Sequence, residues 1–328
     1  MLRFGIIGSN FITESFVDAV NQANDISVTA IFSRTKEKAE AYAEKNGIPN
    51  AFTSLEEMAA SPLIDAVYIA SPNSLHATYA VLFMNAGKHV LCEKPITSNA
   101  KELNIMIEAA KRNGVLLMEA MKSTFVPNFE AIREHLPKLG KVRSYSATYC
   151  QYSSRYDKYK QGEVLNAFLP ELSNGSLMDI GTYCIHPLVA LFGKPERVQA
   201  NAVMLDSGVD GKGTLILSYP DMEAIVHHSK ISNSSLPSEI QGEEGSMLID
   251  QISQPSGVRI HYRDGRVEDV SRPQANNTMV YEIQAFADLV KAGQLESTVN
   301  SYANSLAVME IIDEARRQIG LTYPADRE

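Results

Sequence analysis

Cysteine is scarce in this chain: three in 328 residues, Cys92, Cys150 and Cys184, widely spaced and without a CxxC pair. An odd, scattered set fits reduced thiols better than a disulfide framework, so no disulfide is expected and a cytoplasmic setting is. Long apolar runs are missing too. No uninterrupted stretch approaches the ~20 residues of a membrane helix, and Met1-Leu2-Arg3 leads straight into the strand-like Phe4-Gly5-Ile6-Ile7. Neither a signal peptide nor a membrane partner is expected. Runs of Lys and Arg are absent, and 30 basic against 39 acidic residues give a formal net charge of −9, which argues against nucleic acid as a partner. The histidines offer no metal-ligand spacing. His227 and His228 are adjacent in a strand-like stretch and would point to opposite faces, so no metal site is expected.

What is present is an ordinary globular composition, 45% hydrophobic and 21% charged. The length exceeds what one core usually fills, so two domains are expected. Up to about Ala120, short apolar runs alternate with helical stretches, the pattern of βαβ units and a doubly wound parallel sheet. Strands are predicted at Phe4 to Ile7, Val28 to Phe32, Ala66 to Ala70, His89 to Cys92 and Val115 to Met118. A helix over Lys36 to Asn46 should stop at Gly47, and Ser54 to Glu57 reads as a capping box. After Phe125 the pattern changes to polar–apolar alternation at Ser144 to Tyr152, Gln199 to Asp206, Thr214 to Tyr219 and Glu223 to Ile231, which predicts a large, open, mainly antiparallel sheet in an α+β domain. The expected division is a Rossmann domain over 1–122 and a substrate-binding and oligomerisation domain over 123–328, whose final helix, about 301–319, is a candidate to return to the first domain.

The dinucleotide signature is degenerate but well placed. Gly8-Ser9-Asn10-Phe11-Ile12-Thr13 follows the first strand and opens the first helix, where a tight turn and a helix N-terminus would face a pyrophosphate. Asn10 and Thr13 stand where two of the three glycines usually do. Asn tolerates a left-handed backbone, which would keep the turn. At the end of the second strand, Phe32-Ser33-Arg34-Thr35 lacks the acid that would bind NAD ribose hydroxyls. Its guanidinium and hydroxyls suit a 2'-phosphate, with Lys38 one helical turn on, so NADP(H) is expected to be preferred over NAD(H).

Two further segments carry chemistry: Cys92-Glu93-Lys94-Pro95 after a strand, and Asn174-Gly175-Ser176-Leu177-Met178-Asp179-Ile180-Gly181-Thr182-Tyr183 in the second domain. Together with Ala70-Ser71-Pro72-Asn73, His76, Glu119-Ala120 and Ile240-Gln241-Gly242, they resemble the glucose-fructose oxidoreductase and inositol dehydrogenase (Gfo/Idh/MocA) family. The Asp-x-Gly-x-Tyr form is similar to its dimeric dihydrodiol dehydrogenase branch. The resemblance implies an NAD(P)-dependent enzyme moving a hydride between the nicotinamide and a sugar, polyol or related hydroxy or carbonyl compound, working as a homodimer or higher homo-oligomer through the second sheet. It implies cofactor contacts at Gly8, Ser9, Asn10, Phe11, Ile12, Ser33, Arg34, Ser71, Pro72, Asn73, His76 and Glu93, with Lys94, Asp179 and Tyr183 as the catalytic set in a cleft between the domains. Hydride transfer at an alcohol carbon needs a partner for the proton. Asp179 and Tyr183, four apart, would share a helix face. Lys94 would lower the Tyr183 pKa from its usual ~10 by placing a cation beside the phenolate. Lys122 is expected at the substrate, where that branch carries an aromatic residue. The same fold also serves non-catalytic dinucleotide sensors and NAD-dependent glycosidases, which are the competing readings.

Overall fold

The computed structural model describes residues 1–327. Its first strand, β1 (Leu2–Ile7), is buried from Phe4 to Ile7 on both faces, as a central parallel strand must be. Around it lie β2 (Ile26–Phe32), β3 (Asn50–Phe52), β4 (Ala66–Ile69), β5 (His89–Glu93) and β6 (Leu117–Ala120), in the order β3-β2-β1-β4-β5-β6 and all parallel. The connecting helices are α1 (Phe11–Gln22), α2 (Lys36–Asn46), α3 (Leu55–Ala60), α4 (His76–Asn85) and α5 (Ala100–Asn113). Helix α2 stops at Gly47, left-handed at φ 65°, and α3 is capped by the Ser54 side chain accepting from Glu57 N at 3.1 Å. The strand order reverses between β1 and β4, and ligands of such sheets bind outside the strand C-termini at that point.

The second sheet has eight strands. After α6 (Pro127–His135) come β7 (Val142–Cys150), α7 (Tyr156–Lys160) and α8 (Thr182–Phe192), then β8 (Arg197–Met204), β9 (Asp210–Ser218), β10 (Glu223–Ser229), β11 (Ser238–Gly242), β12 (Gly245–Ile249), β13 (Val258–Tyr262) and β14 (Val267–Asp269). The order is β14-β13-β12-β11-β7-β10-β9-β8, antiparallel except for β10 against β7. Burial alternates along β9: Leu215 and Leu217 face the core and Ile216 faces out. Helix α8 packs on the inner face, where the Tyr145 hydroxyl donates to Cys184 O at 2.9 Å. The stretch Pro170–Phe192 is long and apolar enough to cross a membrane, but it is mostly buried in this core and broken by a π-helical turn (Leu177–Gly181).

The two units do not follow chain order. Unit 1 gathers residues 1–97, 101–122 and 275–302, and unit 2 the remainder. Helix α9 (Met279–Lys291) joins the parallel sheet: the Phe286 ring lies 5.4 Å from Phe4, and Asn277 Nδ2 donates to Ser15 O at 2.8 Å and to Asp18 at 2.7 Å. The last helix, α10 (Tyr302–Ile319), belongs almost wholly to unit 2. There Gln318 completes the free edge of β8, accepting from Ala200 N and donating to Val198 O, both at 2.8 Å. Arg316, buried, is held by Asp313 at 2.8 Å and Asp326 at 2.7 Å, pinning the chain after α10.

Candidate active site

The turn after β1 is built for close approach. Gly8 has φ 123°, and a Cβ there would lie 2.7 Å from Ala70 O. Asn10 differs from the left-handed residue expected: at φ −103° it is extended and caps α1, its Oδ1 accepting from Ile12 N at 3.0 Å and Thr13 N at 3.3 Å. The cap explains why asparagine replaces a glycine here. Thr13 closes the turn through its hydroxyl, which donates to Asn10 O at 2.7 Å. Ser9, Asn10 and Phe11 are exposed beside this helix N-terminus, with Ile12 half-buried behind them.

At the end of β2, Ser33 is buried while Arg34 and Lys38 are exposed, and the Thr35 hydroxyl is engaged as the cap of α2. After β4, Ser71, Pro72 and Asn73 form a half-buried turn. His76 lies behind it, fully buried, its ring nitrogens 3.0 Å from Ser71 O and from Pro95 O, so it braces two loops against each other. Burial lowers its pKa.

The residues at the ends of β5 and β6 form one ionisable cluster within unit 1. Glu93 accepts from the Tyr68 hydroxyl at 2.5 Å and from Lys94 N at 3.2 Å. Burial raises its pKa, against the opposing charges of Lys94 and Lys122. Lys94, followed by a cis peptide to Pro95, is half-buried, as is Lys122. From α9, Glu282 reaches the same cluster: it is buried, neither carboxyl oxygen has a hydrogen-bond partner, and burial with the Glu93 charge holds its pKa well above the carboxylate range.

Asp179 and Tyr183 belong to a second cluster, in unit 2. The Asp-x-Gly segment is the π-helical turn that leads into α8, a geometry that widens the helix where side chains must be re-aimed. Gly181 lets the turn lie on β10, since a Cβ there would meet the His228 ring at 3.3 Å. Asp179, one-third exposed, forms an ion pair with the Lys230 ammonium. Tyr183 is half-buried, and the Tyr149 ring from β7 stands edge-on to it at 5.7 Å. Behind the turn, His228 Nδ1 lies 2.9 Å from the Ser176 hydroxyl, and Asp210 accepts from Leu177 N at 2.7 Å. Burial pushes Asp210 up to about 7 and His228 down to about 3.

Residues 2–121 match the family described as "Oxidoreductase family, NAD-binding Rossmann fold", and residues 130–248 match the "GFO/IDH/MocA C-terminal domain". The chain belongs to the Gfo/Idh/MocA oxidoreductase family. It is 56% identical to the scyllo-inositol 2-dehydrogenase (NADP(+)) IolU of Bacillus subtilis (strain 168), over the full length of both chains. It is 34% identical to the trans-1,2-dihydrobenzene-1,2-diol dehydrogenase of Danio rerio, over 100% of this chain and 99% of that one. Among solved structures, the aldose-aldose oxidoreductase of Caulobacter crescentus superposes with a TM-score of 0.86 at 23% identity, covering 97% of each chain, which is a likeness of fold. The expected class therefore holds: this Gfo/Idh/MocA chain is a nicotinamide-dependent oxidoreductase with a Rossmann domain and an α+β domain.

Sequence motifs missed four members of the two clusters. Tyr68, Glu282, Tyr149 and Lys230 lie outside the signature segments and arrive through strand register or helix packing; Lys230 is 51 residues from Asp179. The one available signal was Lys230 itself, a lysine at the end of an otherwise apolar-alternating strand.

Proposed function

We propose that this enzyme works in the cytoplasm, oxidising a secondary alcohol of a ring polyol, a cyclitol or sugar, with NADP+ as acceptor, and running the reverse reduction with NADPH. The observation that carries the reading is full-length identity of 56% to a relative named for scyllo-inositol and NADP+. The cofactor fits the residues present: a Cβ-free turn at Gly8, the α1 N-terminus for a pyrophosphate, and an exposed Arg34 with Lys38 where a 2'-phosphate would lie. Ser71, Pro72 and Asn73 would flank the dinucleotide along the same sheet edge, His76 would hold their turn, and Glu93 would stand at the nicotinamide end.

When bound, the nicotinamide supplies the hydride acceptor. The protein supplies the proton path. Tyr183 would act as the phenolate, kept ionised by the Lys94 charge; its Oη takes the substrate hydroxyl proton as the carbon loses its hydride, leaving a neutral phenol and no free alkoxide. Asp179 accepts a hydrogen bond from a neighbouring hydroxyl, and Lys122 adds a cation that favours a polyhydroxylated or anionic substrate over a bulky aromatic one.

The test is a spectrophotometric assay of scyllo-inositol oxidation with NADP+ and with NAD+, extended to sugars, polyols and dicarbonyls. NADP+ should be preferred, and Arg34→Ala should weaken NADP+ binding by roughly 10- to 100-fold while leaving NAD+ binding nearly unchanged, the effect of one charge-assisted contact. No turnover across the panel would remove the reading. An unchanged cofactor preference in Arg34→Ala would remove its cofactor part. For assembly we propose a homodimer on the open face of the eight-stranded sheet, where Val203 and Ile216 are 53% and 41% exposed. A monomeric mass by light scattering at micromolar concentration would contradict it.

A further inference from the structure

Lys230 follows the last residue of β10, and its backbone is fixed on both sides: its N–H donates to Gly211 O and its carbonyl accepts from Ser153 N, both at 2.8 Å. The side chain is only 4% exposed. Its ammonium pairs with the Asp179 carboxylate and lies 5.4 Å from the Phe168 ring centroid. A lysine buried this deeply is tolerated when its charge is matched, and the aromatic face adds a second favourable contact. The partner is different in kind, because the Asp179 side chain is 34% exposed and sits on the π-helical turn that leads to Tyr183. The buried member of the pair is therefore the cation, delivered from a rigid strand end, and the member that faces outward is the carboxylate.

We propose that Lys230 is a positioning residue of the active site, which holds Asp179 ionised and in one rotamer so that its carboxylate can accept a substrate hydroxyl. The inference rests on the reading of Asp179 as a substrate contact given above. The charged and titratable groups on the elements packed against the π turn are consistent with that role. From β10 comes His228, kept neutral by burial, with Lys230 directly after the strand; from β9 comes Asp210; from α8 comes Tyr183, with Tyr149 of β7 against its ring. Lys230 places a positive charge directly on Asp179.

Removing the cation should let the Asp179 carboxyl take a proton at higher pH and swing between rotamers. In Lys230→Met, kcat/KM for scyllo-inositol oxidation should fall by roughly 10²-fold, the scale of a misplaced contact, while NADPH affinity measured by fluorescence stays within about twofold. The acid limb of the kcat/KM profile should move up by about one pH unit or more, as expected when a carboxylate loses an adjacent cation. Lys230→Arg should restore activity to within about tenfold of the parent and return the limb. An acid limb that does not move in Lys230→Met, or activity and NADPH binding lost together, would mean the lysine only supports the fold and would overturn the proposal. If the parent enzyme oxidises no polyol, the functional reading has failed, and Lys230 is then judged by carboxyl-13C titration of Asp179. A midpoint lower in the parent than in Lys230→Met supports the positioning role, and equal midpoints overturn it.

Discussion

Each unit carries carboxyl groups that are partly or wholly withdrawn from water, and the two neutralise them by different means. In unit 1, Glu93 shares a buried region with Glu282, whose two oxygens lack any hydrogen-bond partner, and burial raises the pKa of both. Of the two, it is Glu282, with neither oxygen hydrogen-bonded, that is pushed toward the neutral acid, because an unpaired charge costs far more to bury than a proton costs to bind. In unit 2, Asp179 meets a counter-ion, Lys230, that is itself buried. The consequences are opposite. A carboxyl neutralised by a proton should make stability respond to pH, whereas one neutralised by a lysine should keep its charge, and its amide should leave that lysine unmatched.

The largest effect is expected at the two side chains of the proposed proton path, one beside each cluster. Lys94 follows Glu93, and Tyr183 follows Asp179 on the same helical path. Lys94→Met and Tyr183→Phe should each slow turnover by roughly 10²- to 10⁴-fold with cofactor binding retained. The double variant should be little slower than the poorer single one, since groups that act as a unit are not additive. Steady-state kinetics and NADPH fluorescence check both points. Tyr183→Phe within a few-fold of the parent would assign the proton to Lys94 or a water it holds.

Asp179→Asn comes next, and it separates the units most directly. The amide leaves Lys230 buried beside a neutral partner, so the variant should lose about 1–3 kcal/mol, below the full cost of breaking a buried pair because Asp179 is one-third exposed. Urea unfolding measures this. Stability unchanged from the parent would show that the lysine finds another partner and that the contrast between the units is weaker than the geometry indicates.

How much of this was legible in sequence depended on whether the information was local. Central strands β1, β2, β4 and β5 are continuous apolar runs and are readable, while β3 has three residues and β14 three, too few for a period. Lys94, Asp179 and Tyr183 sit in linear motifs, so they could be named; Lys230 and Glu282 could not, because register and packing bring them in. The place of α9 in unit 1 has the same origin. Both α9 and α10 show an apolar face, and periodicity reveals that a face is buried without revealing against what. Asn10 was recognised as a substituted glycine, but its capping bonds to Ile12 N and Thr13 N depend on an extended backbone that residue type alone does not dictate.

The smallest expected effect has the most distinctive sign. Glu282 has a pKa raised in the folded protein above its unfolded value, through burial first and the Glu93 charge second, with Lys122 opposing. Below the unfolded value of about 4.3 the group is protonated in both states and costs nothing. As pH rises the unfolded chain releases the proton more readily than the folded one, so stability is lost progressively until the folded group titrates. Glu282→Gln keeps the shape and cannot titrate. Its own amide leaves buried donors unsatisfied, a fixed cost of about 1–3 kcal/mol that does not change with pH. The informative quantity is therefore the gap between variant and parent: it should shift in favour of Glu282→Gln between pH 5 and pH 8, by about 1 kcal/mol or more, read from urea midpoints at both values. A gap that stays constant across that range would mean Glu282 is ionised in the folded state, compensated by Lys122, and that unit 1 neutralises its carboxyls with counter-ions just as unit 2 does.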